Sequence, residues 1–365
     1  MKSVTFILPG PGDLPVGGFK VVYEYAHHLT RRGHRVTVVE PAVLGRSRHP
    51  PSRLRAYGQF ISTMLANRFR PDAWFRLDPG IRLRAVPSLK EGFIPDADAI
   101  FATAWRTAEW VAGYPLSKGC KCYLIQHLET WDGPENEVLD TWRLPLNKVV
   151  ISCWLRKIAN EMGEEAEHIP NGLDPAAFGI DRDVSLRNPT KLAMLLHESD
   201  WKGSADGLKA ITLAREQIGE LSADLFGTCR AKNLPSWAQF HRCPPQKELR
   251  RIYNSAAIFV APSWAEGWPL PPAEAMLCGA AVAATDIGGH REYMEHEVSA
   301  LLSPPKSPEL LARNIERLIL DSESRPRIAK NGTDCIRDFT WERAAAHMEA
   351  FLQRLWASKC REGPG

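Results

Sequence analysis

Short apolar runs alternate with helix-period segments along this chain, and the alternation happens twice. SVTFILPG (3–10) reads as a buried strand and HRVTVVEP (34–41) as a second. Between them GFKVVYEYAHHLTRRG (18–33) has helical spacing through Val21, Val22, Tyr25, Ala26 and Leu29, and Gly33 closes it. DAIFAT (98–103), KCYLIQH (121–127) and KVVISC (148–153) continue as strands, with a helix at CWLRKIANEMG (153–163). Strands separated by helices return to one sheet in the same direction, so a doubly wound parallel α/β sheet is expected. Residues 168–190, rich in Pro, Gly, Asn and Asp, read as a linker. The pattern then restarts with KLAMLLH (191–197), a helix around 204–219, SADLFG (222–227), AAIFVAPS (256–263) and AAVAATD (280–286). Helices near 308–322, 325–339 and 341–357 end the chain, with Thr340 as N-cap of the last. A chain of 365 residues exceeds one ordinary core, so two such α/β domains facing a cleft are expected.

Composition excludes several classes. A formal net charge of +3 is too small to argue for nucleic acid as a partner. The eight cysteines include no CxxC pair, which argues against a zinc site. Several lie in apolar runs, as reduced thiols do, which favours a reducing compartment and a cytoplasmic protein. The N-terminal apolar run is too short for a signal peptide or a membrane span.

Ligands of open α/β sheets sit beyond the carboxyl ends of the strands. There the sequence WAEGWPLPPAEAM (264–276) follows the strand AAIFVAPS. Glu266 falls on the loop. Pro271-Pro272 suits a first helical turn, which puts Glu274 in that turn. A helix N-terminus flanked by two carboxylates suits a phosphate flanked by hydroxyl groups. A nucleotide-sugar has that pattern. For Glu274 alone, an acid favoured by the helix dipole is an equal reading.

The segment E-G-W-P-L-P-P-A-E resembles the E-x7-E signature of the family 4 retaining glycosyltransferases, which have the GT-B fold. Three further segments resemble that family in order: GGFKVVYEYAHHLTRRGHRVTVVEP (17–41), HIPNGLD (168–174) and TDIGGHREYM (285–294). The resemblance implies an N-terminal acceptor-binding Rossmann-like domain over 1–170, joined by a returning helix at 341–365. It implies a donor-binding domain over 171–340, with hinges near 168–175 and 338–342 and a cleft that closes on the donor. It implies that Glu274 binds the nucleotide ribose, that Glu266 contacts the donor sugar, and that Lys202 meets the diphosphate. The family's arginine, five residues before that lysine, is His197 here, and a family glycine is Pro269, which has no N–H. Either His197 is protonated beside the phosphates or another cation compensates. The diphosphate then relies on Leu270 and later N–H groups, with Trp268 in the same loop. Gly17, Gly18, Gly288 and Gly289 match phosphate- and nucleotide-side turns, and His127 matches a strand-end histidine that touches the donor sugar. Gly17-Gly18 reads equally as a simple helix start. Gly10-Pro11-Gly12 is no dinucleotide fingerprint, since Pro15 replaces its third glycine.

The resemblance implies glycosyl transfer from a nucleotide-diphosphate sugar with retention, by front-face attack, with no cofactor and no metal. Asp96-Ala97-Asp98 and Asp181-Arg182-Asp183 match a DxD metal pattern, but one leads into a strand and the other lies in the linker, so both read as loop acids. Trp105, Arg106, Glu129, Trp131 and Asp132 lie at or after strand ends of the first domain and suit an acceptor: a glycan, a lipid-linked sugar or a small molecule. Residues 46–84 hold nine arginines against two aspartates, with Leu54, Tyr57, Ile61, Met64 and Leu65 on one helical face and Trp74-Phe75 after it. Such a helix suits the inner face of a membrane or an anionic acceptor; the other reading is a core-packed helix with a solvated basic face. Two alternatives stay open: an epimerase-like GT-B enzyme, and a nucleotide-sugar binding protein without catalysis.

Overall fold

The computed structural model describes residues 1–12, 15–44, 58, 60–62, 71, 74–231 and 233–361. The chain divides into two compact units, residues 1–171 with the chain from Trp341 onward, and residues 172–340.

The first unit is built on a parallel sheet. Its strands are β1 (Ser3–Ile7), β2 (Arg35–Val43), β3 (Arg82–Ser88), β4 (Ala99–Ala102), β5 (Cys120–Ile125), β6 (Asn147–Val150) and β7 (Ala166–His168). They lie in the order β3-β2-β1-β4-β5-β6-β7. The helices are α1 (Gly17–Arg31), α2 (Trp105–Gly113), α3 (Glu135–Trp142) and α4 (Cys153–Glu161). Helices on both faces of the sheet explain the unbroken apolar runs at its centre. Phe6 of β1 sits opposite Val38 and Phe101, and the two phenyl rings stack at 5.0 Å.

The second unit repeats the plan. Its strands are β8 (Lys191–Leu195), β9 (Ser222–Gly227), β10 (Ala238–Arg242), β11 (Ile258–Ala261), β12 (Ala281–Thr285) and β13 (Leu301–Ser303). All pairings are parallel, in the order β10-β9-β8-β11-β12-β13. The helices are α5 (Ser204–Ile218), α6 (Gln246–Ser255), α7 (Leu270–Leu277), α8 (Pro308–Leu320) and α9 (Ser324–Ile336). In each sheet the strand order reverses once, between β1 and β4 and between β8 and β11. Those reversals open the crevices where such sheets take ligands.

The last helix, α10 (Trp341–Arg361), returns to the first unit. Its Glu342 and Glu349 pair with Arg32 at 2.6 and 2.7 Å, and Trp341 meets Tyr25 edge-on at 5.7 Å. Trp356 donates through Nε1 to the Asp98 carbonyl at 3.1 Å.

The basic segment differs in part from expectation. Residues 46–57 and 63–70, with Leu54, Tyr57, Met64 and Leu65, lie outside the described residues. Ile61 is exposed. Trp74 and Phe75 pack on Tyr23 at 5.8 and 5.5 Å, and Trp74 Nε1 donates to the Gly12 carbonyl at 2.9 Å. Arg82 and Arg84 belong to the edge strand β3 rather than to a helix, and both are exposed. Among the described residues no helix is long and apolar enough to cross a membrane.

Candidate functional site

In the second unit the carboxyl ends of β8, β11 and β12 converge, and a chain of hydrogen bonds ties them. His290 follows β12, and its Nδ1 lies 2.7 Å from the Thr285 carbonyl. A carbonyl only accepts, so Nδ1 carries the proton. The Thr285 hydroxyl donates to the Ser263 carbonyl beyond β11. The Ser263 hydroxyl donates to Glu266 Oε1 at 2.8 Å. Lys202, from the loop after β8, donates to both Glu266 oxygens at 2.8 and 2.9 Å and lies 4.3 Å from the centre of the Trp201 ring.

Two glycines let these loops close up. Gly203 has φ of +64°, and a Cβ there would stand 2.1 Å from the Pro262 carbonyl oxygen. Only glycine fits both demands, and it fixes Lys202 against the end of β11. A Cβ on Gly289 would lie 2.5 Å from the Glu266 carbonyl oxygen. The turn at 288–290, which also holds Gly288, therefore presses directly on the Glu266 backbone.

Glu274 is buried in α7, and Tyr253 donates its hydroxyl to Glu274 Oε2 at 2.9 Å. Burial first, then the Glu274 charge, pushes the Tyr253 phenol well above its usual range, so it stays a donor. The helix begins at Leu270, which makes Glu274 its fifth residue and removes it from the first turn. The dipole argument for an acid there weakens accordingly. Of the first three helical residues, Leu270, Pro271 and Pro272, only Leu270 has an N–H. The expected array of free donors is thus reduced to one at that end. Trp268 is buried against Tyr293 at 4.7 Å and Phe339 at 5.7 Å, which makes it a packing residue of the loop.

His197 answers its own question. Its Nδ1 accepts the Ser199 N–H at 3.0 Å, and its backbone N–H donates to the Ser204 hydroxyl at 2.9 Å. Burial, then the neighbouring Lys202 charge, lowers its pKa. The ring is neutral in the free protein. Lys202, Glu266, Glu274, Leu270, Gly289 and His290 therefore share one region of the second unit. Sequence reasoning passed over His290, although it stands inside the quoted TDIGGHREYM.

In the first unit, Gly17 and Gly18 open α1, whose N-cap Val16 provides no side-chain cap. Gln126 donates to the Gly18 carbonyl at 3.2 Å. Past β5, His127 is buried, its Nδ1 lies 3.0 Å from the Leu128 carbonyl, and the exposed Trp131 meets it edge-on at 4.4 Å. Glu129 accepts the Trp105 backbone N–H at 2.7 Å and so caps the start of α2. Burial pushes its carboxyl up to about 7. Asp132 joins the group by pairing with Arg106 at 2.8 Å and accepting from Trp105 Nε1 at 3.1 Å. The structure thus brings Trp105, Arg106, Glu129 and Asp132 into one cluster beside His127 and Trp131.

The DxD-like acids have local partners. Asp96 pairs with Lys118 at 2.8 Å, Asp98 with Lys2 at 3.0 Å, and Asp181 with Arg250. Asp183 accepts from the Ser185 N–H at 2.8 Å. The described cysteines are free thiols.

Two parallel α/β units of this order define a GT-B protein. HepE of Anabaena, solved with UDP-glucose, aligns with a TM-score of 0.74 over 97% of this chain and 100% of its own, at 17% identity. Sucrose-phosphate synthase from Thermosynechococcus elongatus aligns at 0.72 over 98% and 100%, also at 17% identity. At that identity the likeness speaks for the fold alone.

Residues 200–334 match the family model of glycosyl transferases group 1, a stretch that holds Lys202, Glu266, Glu274 and His290. The amylovoran biosynthesis glycosyltransferase AmsK of Erwinia amylovora is 27% identical over 203 residues, 50% of this chain and 48% of that protein. A D-inositol 3-phosphate glycosyltransferase of Salinispora tropica is 33% identical over 126 residues, 34% of this chain and 24% of that protein. The chain thus spans about half or less of these relatives' lengths. The matches liken residues 200–334 to the glycosyl transferases of group 1.

Proposed function

We propose that this chain transfers a glycosyl group from a nucleotide-diphosphate sugar to an acceptor hydroxyl, with retention and without a metal. The observation that carries the proposal is the cluster of Lys202, Ser263 and Glu266 at the ends of β8 and β11, with Glu274 in α7. Glu266 contacts the donor sugar and Glu274 the ribose. Lys202 and the Leu270 N–H meet the diphosphate. In the transfer, the bond from C1 of the sugar to the diphosphate oxygen breaks as C1 bonds to the acceptor oxygen. The acceptor proton passes to the leaving phosphate oxygen. Negative charge grows on the diphosphate, and a fixed cation such as Lys202 stabilises it in a site with little water. The family match over residues 200–334 and the UDP-glucose bound to HepE support this reading.

The acceptor is a glycan, a lipid-linked sugar or a small molecule held by Trp105, Arg106, Glu129 and Trp131. We read residues 46–84 as a contact with anionic lipid at the cytoplasmic face of a membrane, on the strength of their arginine content.

A thermal-shift panel of UDP-, dTDP- and GDP-sugars with wild type and Glu274→Ala tests the donor site. A ligand of the native state raises its apparent stability. A shift with one nucleotide, lost in Glu274→Ala, is expected; no shift with any donor sinks the assignment. The neutral His197 favours one second reading, binding without turnover. Release of nucleoside diphosphate together with a glycosylated product, followed by mass spectrometry, rejects it.

A further inference from the structure

His290 has a hydrogen-bonding atom that no described residue uses. The residue is fully buried, and its Nδ1–H is taken by the Thr285 carbonyl. Burial lowers the imidazole's pKa, so the ring is neutral and Nε2 carries a lone pair. No described group donates to that atom. Buried polar atoms of this kind are nearly always satisfied, so an orphan at a ligand crevice calls for a partner.

His290 lines a cavity of about 20 Å³ with Lys202, Glu266 and the rings of Pro269, Pro271 and Pro272. That space holds roughly one water-sized group. The chemistry restricts what enters. Nε2 only accepts, so its partner must bring a hydrogen. Glu266, the adjacent acid, also accepts. Lys202, the cation on this wall, already lies on Glu266. A phosphate oxygen has nothing to donate here, and an alkyl group leaves Nε2 unmet. A hydroxyl group brings the one hydrogen that Nε2 lacks. Gly289 holds the turn that carries His290 against the Glu266 backbone.

We propose that His290 Nε2 accepts a hydrogen bond from one hydroxyl of the donor's transferred sugar and thereby selects that sugar. The proposal rests on the donor reading above. His290 acts on the sugar half of the donor and not on the nucleotide half, and that division makes it testable.

The test uses the full chain and titration calorimetry. The probes are UDP, GDP and dTDP, and UDP-glucose, UDP-N-acetylglucosamine, GDP-mannose and dTDP-rhamnose. His290→Asn keeps a polar atom near Nδ1 for Thr285 and removes the acceptor at Nε2. His290→Gln returns an acceptor near Nε2. For the nucleotide-sugar that wild type binds best, His290→Asn is expected to lose about tenfold in affinity, one hydrogen bond's worth. Its affinity for the matching nucleoside diphosphate should stay within about twofold, and His290→Gln should recover most of the loss. Equal weakening of sugar and diphosphate would overturn the proposal and leave His290 a structural residue with a water in the socket. Unchanged sugar affinity in His290→Asn would overturn it too. If wild type binds none of the probes, the donor reading falls and takes this inference with it; if diphosphates bind but sugars add nothing, only the inference falls.

Discussion

Replacing Lys202 by Met tests whether the Lys202–Glu266 pair holds the candidate site together before any ligand arrives. The lysine side chain is 18% exposed and the glutamate 9%. Removing one member of so buried a pair strands the other, which costs about 3–5 kcal/mol. Here the Ser263 hydroxyl still donates to Glu266 Oε1, so the low end of that range applies. A loss of about 3 kcal/mol is roughly a hundredfold in a local opening constant. Hydrogen exchange of peptides spanning 258–268, read by mass spectrometry, reports that opening directly. Amides there should exchange about a hundred times faster in Lys202→Met than in wild type. Adding Glu266→Gln should restore most of the protection, because a neutral amide needs no cation, and the cycle should show coupling of about 2 kcal/mol. Exchange within threefold of wild type in Lys202→Met would refute the reasoning. The pair would then be solvated and the site would not be preorganised by it.

Asp224 sets a pH dependence for the second unit: burial works to raise its pKa, but hydrogen bonds from Lys191 and His241 outweigh burial and hold it below the usual carboxylate value. A depressed folded pKa adds stability above the unfolded value of about 3.9, and this is lost as pH falls through the folded value. The gap in urea midpoint between wild type and Asp224→Asn should be widest near neutrality and close below about pH 4; a gap constant to low pH would contradict this. Gly203→Ala should destabilise by at least about 1 kcal/mol and weaken donor binding, since its Cβ meets the Pro262 carbonyl; thermal melting and donor titration check both. Tyr253→Phe removes the hydroxyl bond to Glu274 and should cost about 1.5–3 kcal/mol, measured by melting, with nucleotide affinity falling in parallel.

The fold was legible where strands are central and covered on both faces. β11 is a continuous apolar run, and β1, β5, β8 and β12 are mainly apolar, because helices shield them from water. The edges were not legible. β10, AQFHR, is half exposed, and β3, RLRAVPS, is rich in arginine, so neither has an apolar run to find. The two acids of the candidate site were legible because they flank an unusual proline-rich turn, Pro269, Pro271 and Pro272. His290 was not, because a histidine gains its meaning here from a carbonyl five residues back and from complete burial, neither of which spacing reveals. Trp268 was assigned to the ligand by its position in the loop, yet its ring faces Tyr293 and Phe339, a contact that only tertiary packing creates.

The electrostatic balance of the second unit's crevice follows from these particulars. His197 is neutral, the Lys202 charge lies on Glu266, and prolines remove two donors from the first turn of α7. The free crevice therefore carries little net positive charge. It is instead rich in acceptors, with Glu266, Glu274 and the Nε2 of His290. A free phosphate, which is all acceptor, gains little in such a place. A molecule that carries hydroxyl groups on either side of its phosphates satisfies the acceptors and leaves Lys202 and the Leu270 N–H for the charge. Under the proposed function, affinity comes from ribose and sugar hydroxyls more than from the diphosphate. The departures at His197 and Pro269 then shift the site toward reading the sugar.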